Sequence, residues 1–458
     1  MNIIRRIRYL FKKTFDRISN ERLKINLLQA IPFWIASLFT GLAAVLYAKL
    51  FIYAEHGATY ILRNFGWAIF ITAPLCFVIA WWLVVKFSPY SRGSGIPQVM
   101  ASIELANPKE DTKINKLLSM RVIIVKMISS LVLALGGGVI GREGPTIQIA
   151  GSIFSKINQW LPKWWPKNSK RNMIMTGAAA GLAAAFNTPL GGIVFAVEEL
   201  TKTHISYFKT ALFTAIIIAG LTAQALLGPY LYLGYPIVNN LSPYIFFAVI
   251  LVAVITGLLG SIMSKIILFL LRWKAKFRFR FHHILYLIIC SLVIVGIAFF
   301  IDERIMGSGK DLMANTLFTS DKYSPWYVPV LRITGPVLSF TSGAAGGIFA
   351  PALSAGASVG SMMSGWLQLS DTNTNLLILA GMVGFLTGIT RTPFTAAILV
   401  LEMTDRHSVI FHLMLAGMIS SLVSYLIDRH SFYDHMKFEY IKDLNQENIQ
   451  ETAAERKE

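Results

Sequence analysis

Apolar residues in this sequence form runs that are much longer than one face of a soluble helix requires. A helix needs about 20 apolar residues to cross the hydrocarbon core of a bilayer, and roughly ten or eleven segments stand out in a hydropathy window. They lie near residues 25–54, 66–87, 122–140, 173–197, 208–233, 243–271, 284–301, 327–341, 346–368, 375–403 and 409–427. Gly and Pro break several of them, so the segments need not all be complete crossings. The pattern predicts an all-α polytopic membrane protein.

The composition supports this class and excludes others. Hydrophobic residues make up 55% of the 458 residues and charged residues only 14%, whereas soluble domains carry about 25% charged residues. The apolar fraction excludes a disordered chain, and two cysteines exclude a disulfide scaffold. Cys76 and Cys290 both fall in apolar runs, which predicts buried thiols without a deducible pairing.

The formal net charge of +18 comes from basic residues that border the apolar runs. They concentrate in residues 1–24, 163–171 and 272–280, while residues 228–243 carry no charge. The positive-inside rule places such basic loops and both termini in the cytoplasm, and it accounts for the charge without a nucleic-acid partner. Helical spacing of apolar residues predicts a basic amphipathic interfacial helix at 1–24. Residues 438–458 are expected to form a short polar cytoplasmic tail.

The sequence also repeats itself. Residues 177–200 align without gaps with residues 381–404 at an offset of 204. Gly137, Gly141 and Pro145 match Gly343, Gly347 and Pro351, and residues 93–95 match residues 307–309. Chance explains any single match, but three in the same order predict an internal duplication, with repeats at roughly 30–230 and 243–437 of a membrane domain at 25–437. The repeats are inverted if each crosses the membrane an odd number of times, and transporters with such repeats bind substrate at the repeat interface.

Three Gly-rich motifs that contain a Pro interrupt the apolar runs. They are Gly93-Ser94-Gly95-Ile96-Pro97, Gly141-Arg142-Glu143-Gly144-Pro145 and Gly346-Gly347-Ile348-Phe349-Ala350-Pro351. Pro is favoured in the first turn of a helix, where its missing N–H costs nothing. Helix starts attract anions through unpaired N–H groups and the helix dipole. Three that converge in the membrane would hold an anion, whereas for a single motif a simple helix break is the favoured interpretation.

Carboxylates are rare in the apolar part of the chain. Between residues 112 and 301 only Glu143, Glu198 and Glu199 occur, and a carboxylate in a membrane segment is usually functional. Ionised Glu143 resembles a bound anion and can occupy an anion site, whereas protonated Glu143 would swing away. It would then gate an anion path and carry a proton; simple pairing with Arg142 is the alternative.

The Glu198-Glu199 pair ends an apolar run, so a solvated helix end is one interpretation of both residues. The duplication separates them, because Glu198 aligns with Glu402 while Glu199 aligns with Met403. A carboxylate present in both repeats fits a structural role. The unduplicated Glu199 is the better candidate for a task that is needed only once.

No cofactor site or enzyme active site is indicated. The G-x-G-x-x-G spacing at 136–141 lacks the βαβ unit that a dinucleotide needs. His282-His283 and the pair His430 and His435 lie at membrane edges without the ligand spacing of a metal site. No nucleophile–base constellation is evident, so the sequence predicts a transporter or channel, without metal or cofactor, and no enzyme.

The three motifs resemble the signatures of the CLC family of chloride channels and proton-coupled chloride transporters. They occur intact and in order, and the resemblance extends from about residue 30 to 437. It implies an inverted duplication with many tilted, partly spanning helices. It also implies a homodimer in the cell's inner membrane, with one pathway in each subunit. We expect no C-terminal regulatory domain, and the lack of such a domain is typical of prokaryotic members.

The resemblance also implies roles for residues of the anion site. Ser94 corresponds to the hydroxyl donor to the central anion, and the backbone amides of Ile348 and Phe349 correspond to further donors. Tyr433 corresponds to the tyrosine that hydrogen-bonds the anion from the inner side. The Ser of the first motif favours chloride, because members selective for nitrate tend to have Pro there.

By the same resemblance, Glu143 is the external gating glutamate and Glu199 the internal proton-transfer glutamate. Family channels commonly replace the internal glutamate with an uncharged residue. The presence of both carboxylates therefore favours an antiporter that exchanges chloride for protons. A passive chloride channel gated by voltage or pH shares every anion-site residue and is the alternative.

Overall fold

The computed structural model describes residues 21–107, 110–162, 165–201, 209–228 and 231–455. Helices account for nearly all of these ranges, and short turns and loops connect them. The interfacial helix predicted at 1–24 lies outside the described residues, apart from its last four positions, which belong to the first helix. The predicted buried thiols, Cys76 and Cys290, are both buried and free.

The helices of the first half differ widely in length, from 45 residues to 7. In order they are α1 Glu21–Phe65, α2 Ile69–Phe87, α3 Ile96–Glu104, α4 Asp111–Leu117, α5 Met120–Leu135, α6 Glu143–Trp160, α7 Lys170–Phe186, α8 Pro189–Phe195 and α9 Lys209–Leu227. A π-helical turn, Ala196–Leu200, directly continues α8.

The second half has a similar succession of long and short helices. In order they are α10 Ile245–Lys274, α11 Arg280–Phe300, α12 Lys310–Phe318, α13 Tyr327–Thr341, α14 Phe349–Trp366, α15 Asp371–Thr390, α16 Pro393–Thr404, α17 Ile410–Ile427 and α18 Phe432–Glu455. The polar tail predicted at 438–458 is therefore helical as far as Glu455, as a continuation of α18.

Fewer stretches are able to span a membrane than the sequence has apolar segments. Within the described ranges seven are long and apolar enough: Lys24–Phe87, Asp111–Leu135, Thr210–Leu227, Ile245–Lys274, Arg280–Phe300, Asp371–Thr390 and His407–Ile427. The other apolar segments form shorter or less apolar helices, because Gly-Pro motifs start or end them. This difference agrees with the expectation that many helices cross only part of the membrane.

The duplication extends to unusual backbone conformations. Asn187 ends α7 with a φ of 57°, and Arg391 ends α15 with a φ of 64°, at the offset of 204 residues. Gly137 and Gly343, at the offset of 206, have φ of 75° and 82°. Left-handed backbone is uncommon for residues other than Gly, so its recurrence at matched positions supports a common origin for the two halves.

Close helix packing forms the centre of each half. In the first half α6 packs along α7, and their counterparts α14 and α15 form the same contact in the second half. A side chain at Gly356 would collide with the backbone of Gly381 on the facing helix, so only small residues allow this approach. Nearly every residue of α15 is buried. By contrast α10 and α17 expose large apolar side chains, such as Phe247 and Phe411, as lipid-facing helices do.

A reciprocal pair of helix caps joins the two halves. The Glu198 carboxylate accepts hydrogen bonds from the backbone N–H groups of Phe394 (3.1 Å) and Thr395 (2.6 Å) at the start of α16. The Glu402 carboxylate accepts from those of Leu190 (3.0 Å) and Gly191 (2.8 Å) at the start of α8. Glu198 therefore caps a helix of the other repeat, and the alternative of a solvated helix end is wrong for it.

We predict that Glu198→Ala and Glu402→Ala each lower the thermal unfolding midpoint of the detergent-purified protein. Each substitution leaves two backbone N–H groups without their charged acceptor, and a hydrogen bond to a charged group contributes roughly 1.5–3 kcal/mol. The control is Glu303→Ala, which removes an exposed ion pair with Arg63 and should have little effect. Midpoints equal to that of the control would contradict the capping role.

Candidate functional site

All three Gly-rich motifs lead into a helix. Helix α3 follows Gly95, α6 begins at Glu143, and α14 begins at Phe349. At none of the three starts does the side chain of the preceding residue cap the helix. Gly95 has a φ of 107°, and a Cβ there would lie 2.9 Å from the Gly144 carbonyl oxygen. The first motif thus packs directly on the second. First-turn N–H groups and the positive ends of three helix dipoles gather in this region.

Backbone hydrogen bonds tie the first two motifs to the third. The Gly93 N–H donates to the Ala344 carbonyl (2.9 Å), and the Gly346 N–H donates to the Gly93 carbonyl (3.1 Å). Gly141 and Gly347 exchange two hydrogen bonds, each of 2.8 Å. These are two isolated bridges between chain segments that are more than 200 residues apart. Together they fix the separation of the three helix starts.

Two buried hydroxyl groups lie at this junction. Ser94 is 1% exposed and Tyr433 is fully buried. Ser94 neighbours the Tyr433 hydroxyl, yet neither hydroxyl makes a hydrogen bond of ordinary geometry. The Phe349 ring stacks on the Tyr433 ring with centroids 6.3 Å apart, and Ile348 immediately precedes Phe349 at the start of α14. The structure thus brings all four predicted anion-site residues together.

Glu143 lies within the same buried region. Its side chain is 1% exposed, and its carboxylate lies against its own backbone N–H at the start of α6. The Tyr232 hydroxyl donates to Oε1 of Glu143 over 3.4 Å, and a Cβ at Gly141 would collide with Oε2. Arg142 is close enough to interact with this carboxylate electrostatically. The carboxylate therefore occupies a helix start, as an ionised gate would.

Lys126 is a charged residue at the site that the sequence analysis did not identify. It is fully buried in α5, and its ammonium group donates to the carbonyls of Ser91 (2.9 Å) and Gly93 (2.8 Å). These two hydrogen bonds hold the backbone of the first motif against α5. The signal in the sequence was a single basic residue within the apolar run at 122–140.

Glu55 is a second residue that the sequence analysis missed. Its carboxylate accepts a hydrogen bond of 2.6 Å from the Ser308 N–H. Ser308 belongs to the Gly-Ser-Gly sequence that duplicates the first motif, and Gly309 precedes α12 with a φ of 86°. The counterpart of the Ser94 motif in the second repeat therefore donates a backbone hydrogen bond to a carboxyl oxygen.

Glu199 lies in the π-helical turn after α8, close enough to Tyr433 for an electrostatic interaction. It is partly buried and lines a cavity of 320 Å³. The cavity is also lined by Met100, Ile103, Glu104, Arg171, Leu200, Lys437 and Phe438. Burial alone lowers the pKa of Lys437, but its pairing with Glu104 and Asp434 outweighs burial and raises the pKa above its ordinary value. The Lys437–Glu104 ion pair (3.0 Å) thus lies in the same cavity as Glu199.

A larger cavity of 660 Å³ reaches Gly93 from another direction. Five basic residues line it, with two acidic ones: Arg92, Arg272, Lys274, Arg280 and Lys442, with Glu439 and Asp443. Helix α18 separates the two cavities, because Met436 and Tyr440 line the larger one while Lys437 and Phe438 line the smaller one. One cavity leads to the anion-site motifs and the other to Glu199.

Comparison with known proteins identifies relatives of this chain. A family model described as "Voltage gated chloride channel" matches residues 76–425. A protein named "H(+)/Cl(-) exchange transporter ClcA" from Citrobacter koseri is 28% identical over 379 residues, which cover 80% of this chain and 77% of the relative. The protein of the same name from Vibrio parahaemolyticus is 29% identical over 406 residues, covering 84% and 83% of the two chains.

Two solved structures share the fold. A slow cyanobacterial Cl−/H+ antiporter superimposes with a TM-score of 0.79 at 23% identity, and the match covers 92% of this chain and 99% of the other. A CLC-type fluoride/proton antiporter gives a TM-score of 0.75 at 20% identity, with 91% and 98% covered. These likenesses confirm the resemblance and the internally duplicated, all-α membrane fold that the sequence predicts.

We predict that Tyr433→Phe and Tyr433→Ala weaken chloride binding to the purified protein, measured by isothermal titration calorimetry. Loss of one hydroxyl donor to an ion removes roughly 1.5–3 kcal/mol, which corresponds to about a tenfold or larger rise in Kd. Ser94→Pro should weaken chloride binding relative to nitrate. Tyr425→Phe, on the exposed side of α17, is the control, and an equal chloride affinity for Tyr433→Phe would exclude the Tyr433 hydroxyl from the site.

Proposed function

Because the chain belongs to the voltage-gated chloride channel family, we propose that it is a secondary active antiporter that exchanges chloride for protons across a membrane. The observation that carries the proposal is the placement of two carboxylates. Glu143 is buried at the junction of the helix starts, and Glu199 lines a separate cavity. A carboxylate at each place is what proton movement coupled to an anion path requires. Relatives that share more than three quarters of their length with this chain are named as H+/Cl− exchangers.

In the proposed cycle, chloride enters from the cytoplasm through the larger cavity. Its excess of basic side chains raises the local anion concentration, and it ends at Gly93, beside Ser94. Chloride then meets the Ser94 and Tyr433 hydroxyls and the amides at the start of α14. When Glu143 is ionised, its carboxylate competes for the same helix-start environment. Protonation removes that attraction, and the carboxyl group leaves the path for the anion.

Protons take a different inner route in this proposal. Glu199 collects a proton from the smaller cavity and passes it toward Glu143. Helix α18 keeps this cavity apart from the anion cavity, so chloride and protons meet only at Glu143. Glu104, the other carboxylate that lines this cavity, pairs with Lys437 (3.0 Å).

The assembly and location follow from the same proposal. We infer a homodimer in the cell's inner membrane, surrounded by lipid, with both termini in the cytoplasm. The basic stretch 272–280 supports this orientation, because Arg272 and Arg280 lie at the cavity that α18 also lines. The substrates are chloride and protons, and the proposal requires no cofactor and no enzymatic activity.

A passive chloride channel is the second candidate function, since it would use the same anion site. The reversal potential of reconstituted vesicles under a pH gradient separates the two. For an antiporter the reversal potential shifts with the proton gradient, whereas for a channel it follows the chloride gradient alone. A reversal potential that ignores pH would overturn the antiporter proposal.

Glu143→Gln is predicted to abolish proton coupling while chloride flux continues. The amide imitates the protonated carboxyl group, so it neither competes with chloride nor carries a proton. Simultaneous chloride-electrode and pH-electrode recordings on vesicles measure both fluxes. Uphill proton movement by this variant, driven by a chloride gradient, would show that Glu143 is not the gate.

Glu199→Gln is predicted to retain chloride transport and to lose proton movement, because a side-chain amide cannot load a proton at Glu199. The matched control is Glu104→Gln, which changes a carboxylate of the same cavity that is paired with Lys437. We expect the control to keep its proton flux. Proton pumping at the wild-type rate by Glu199→Gln would leave Glu199 with a structural role only.

A further inference from the structure

Three metal-ligating side chains meet at the loop between α17 and α18. A carboxylate oxygen of Asp428 and imidazole nitrogens of His430 and His435 all lie within 4.8 Å of one another. Nε2 of His435 is 3.1 Å from Oδ2 of Asp428, and the two imidazole rings have centroids 5.6 Å apart. From this geometry we propose that the loop binds a divalent transition-metal ion of the Zn²⁺ class.

The donor set suits this class of ion. Two imidazoles and one carboxylate form a three-ligand site that leaves a fourth position for water, with metal–ligand distances of about 2.0–2.2 Å. A tetrahedron of this size has edges of about 3.4 Å. The ligand atoms of Asp428 and His435 are already 3.1 Å apart, so the adjustment falls mainly on the His430 imidazole, whose nitrogen lies within 4.8 Å of both. His430 is exposed, and its imidazole has room to make this adjustment. Hard oxygen-seeking ions such as Mg²⁺ are disfavoured by the imidazoles.

This proposal reverses the sequence-based expectation of no metal site. The spacing of His430 and His435 along the chain matches no familiar metal motif, and Asp428 completes the set only through the turn that precedes α18. The backbone N–H of His430 donates to Oδ1 of Asp428 (3.0 Å), so the Asp428 carboxylate is already directed toward the two histidines.

Neighbouring helices fix the backbone of the loop. The Lys265 ammonium on α10 donates to the Ile427 carbonyl (3.0 Å), and the Arg391 guanidinium at the end of α15 donates to the Asp428 carbonyl (3.4 Å). Ser431 caps α18, because its hydroxyl accepts from the Asp434 N–H (3.0 Å). The backbone that carries the ligands is therefore held in place. The two cations repel a divalent ion, so we expect weaker binding than at a structural zinc site.

The metal ligands lie on both sides of Tyr433 in the sequence, and under the proposed function Tyr433 contacts chloride from the inner side. Tyr433 lies between His430 and His435 in the first turn of α18. An ion held by both histidines and by Asp428 would tie this turn to the end of α17 and restrict any displacement of Tyr433. We therefore expect cytoplasmic Zn²⁺ to slow chloride transport, an expectation that rests on the proposed function.

Calorimetry on the detergent-purified full chain tests the site itself, with Zn²⁺ alone as the probe. We expect one ion per chain at micromolar concentration, and at least a tenfold weaker affinity for His430→Ala, for His435→Ala and for Asp428→Asn. Co²⁺ should give the visible absorption of a tetrahedral site in the wild type and lose it in His430→Ala. The control is His282→Ala, which removes a histidine at another membrane edge.

His430 is exposed, so His430→Ala should retain the wild-type thermal unfolding midpoint, and its loss of binding cannot then be due to unfolding. Unchanged Zn²⁺ affinity in His430→Ala and His435→Ala would overturn the site, as would absence of binding by the wild type at millimolar Zn²⁺.

Chloride efflux from vesicles tests the consequence separately. We expect Zn²⁺ on the α18 side to slow efflux several-fold in the wild type and in His282→Ala, and to leave His430→Ala unaffected. Calorimetric binding without any change in efflux would overturn the link to Tyr433. A protein that binds Zn²⁺ but moves no chloride in its absence would contradict the proposed function and leave the metal site standing.

Discussion

The exchange of backbone hydrogen bonds among Gly93, Gly141 and the segment 344–347 is the contact on which the rest of this protein depends. An unsatisfied N–H or C=O group costs several kcal/mol in a hydrocarbon environment, so helices that break inside a membrane must pair their broken ends. Here the ends pair with one another. A Cβ at Gly347 would lie only 3.1 Å from the Gly141 carbonyl oxygen, which is why glycine is found at this crossing.

The pairing also determines how strongly an anion is held. The groups at the junction are hydroxyls, backbone amides and helix ends, and the buried Lys126 side chain donates its hydrogen bonds to the carbonyls of Ser91 and Gly93. Conduction requires binding that is favourable enough for entry and weak enough for exit. Partial charges meet this requirement better than an exposed ammonium group. The charges of the larger cavity attract ions at the mouth of the path, where tight binding is not needed.

Much of this arrangement was predictable from the sequence. Long apolar runs specify membrane helices, and the Gly-Pro motifs specify where helices begin, because both signals are local in the chain. Matched offsets revealed the duplication and separated Glu198 from Glu199. Long-range contacts left no comparable signal: nothing near Lys126 in the sequence indicates that its ammonium group lies behind Gly93.

The directions of side chains could not be predicted from the sequence either. The cap that Glu198 provides for α16 depends on the three-dimensional approach of helices almost 200 residues apart. The grouping of Asp428 with two histidines depends on one turn of the backbone, which residue spacing does not determine. The role of Glu55 could not be predicted for a related reason, since its partner Ser308 belongs to the other repeat. Local pattern predicts elements, whereas these contacts arise only from the way in which the elements pack.

The reciprocal caps at Glu198 and Glu402 have a consequence for the origin of the architecture. Each repeat supplies the carboxylate that the other repeat's helix needs, so either half alone would have an uncapped helix and an unpartnered carboxylate. Two copies of such a half would satisfy both contacts at once around a two-fold axis, since the contact is self-complementary. The contact between the two halves thus has the self-complementary form of an interface in a symmetric dimer.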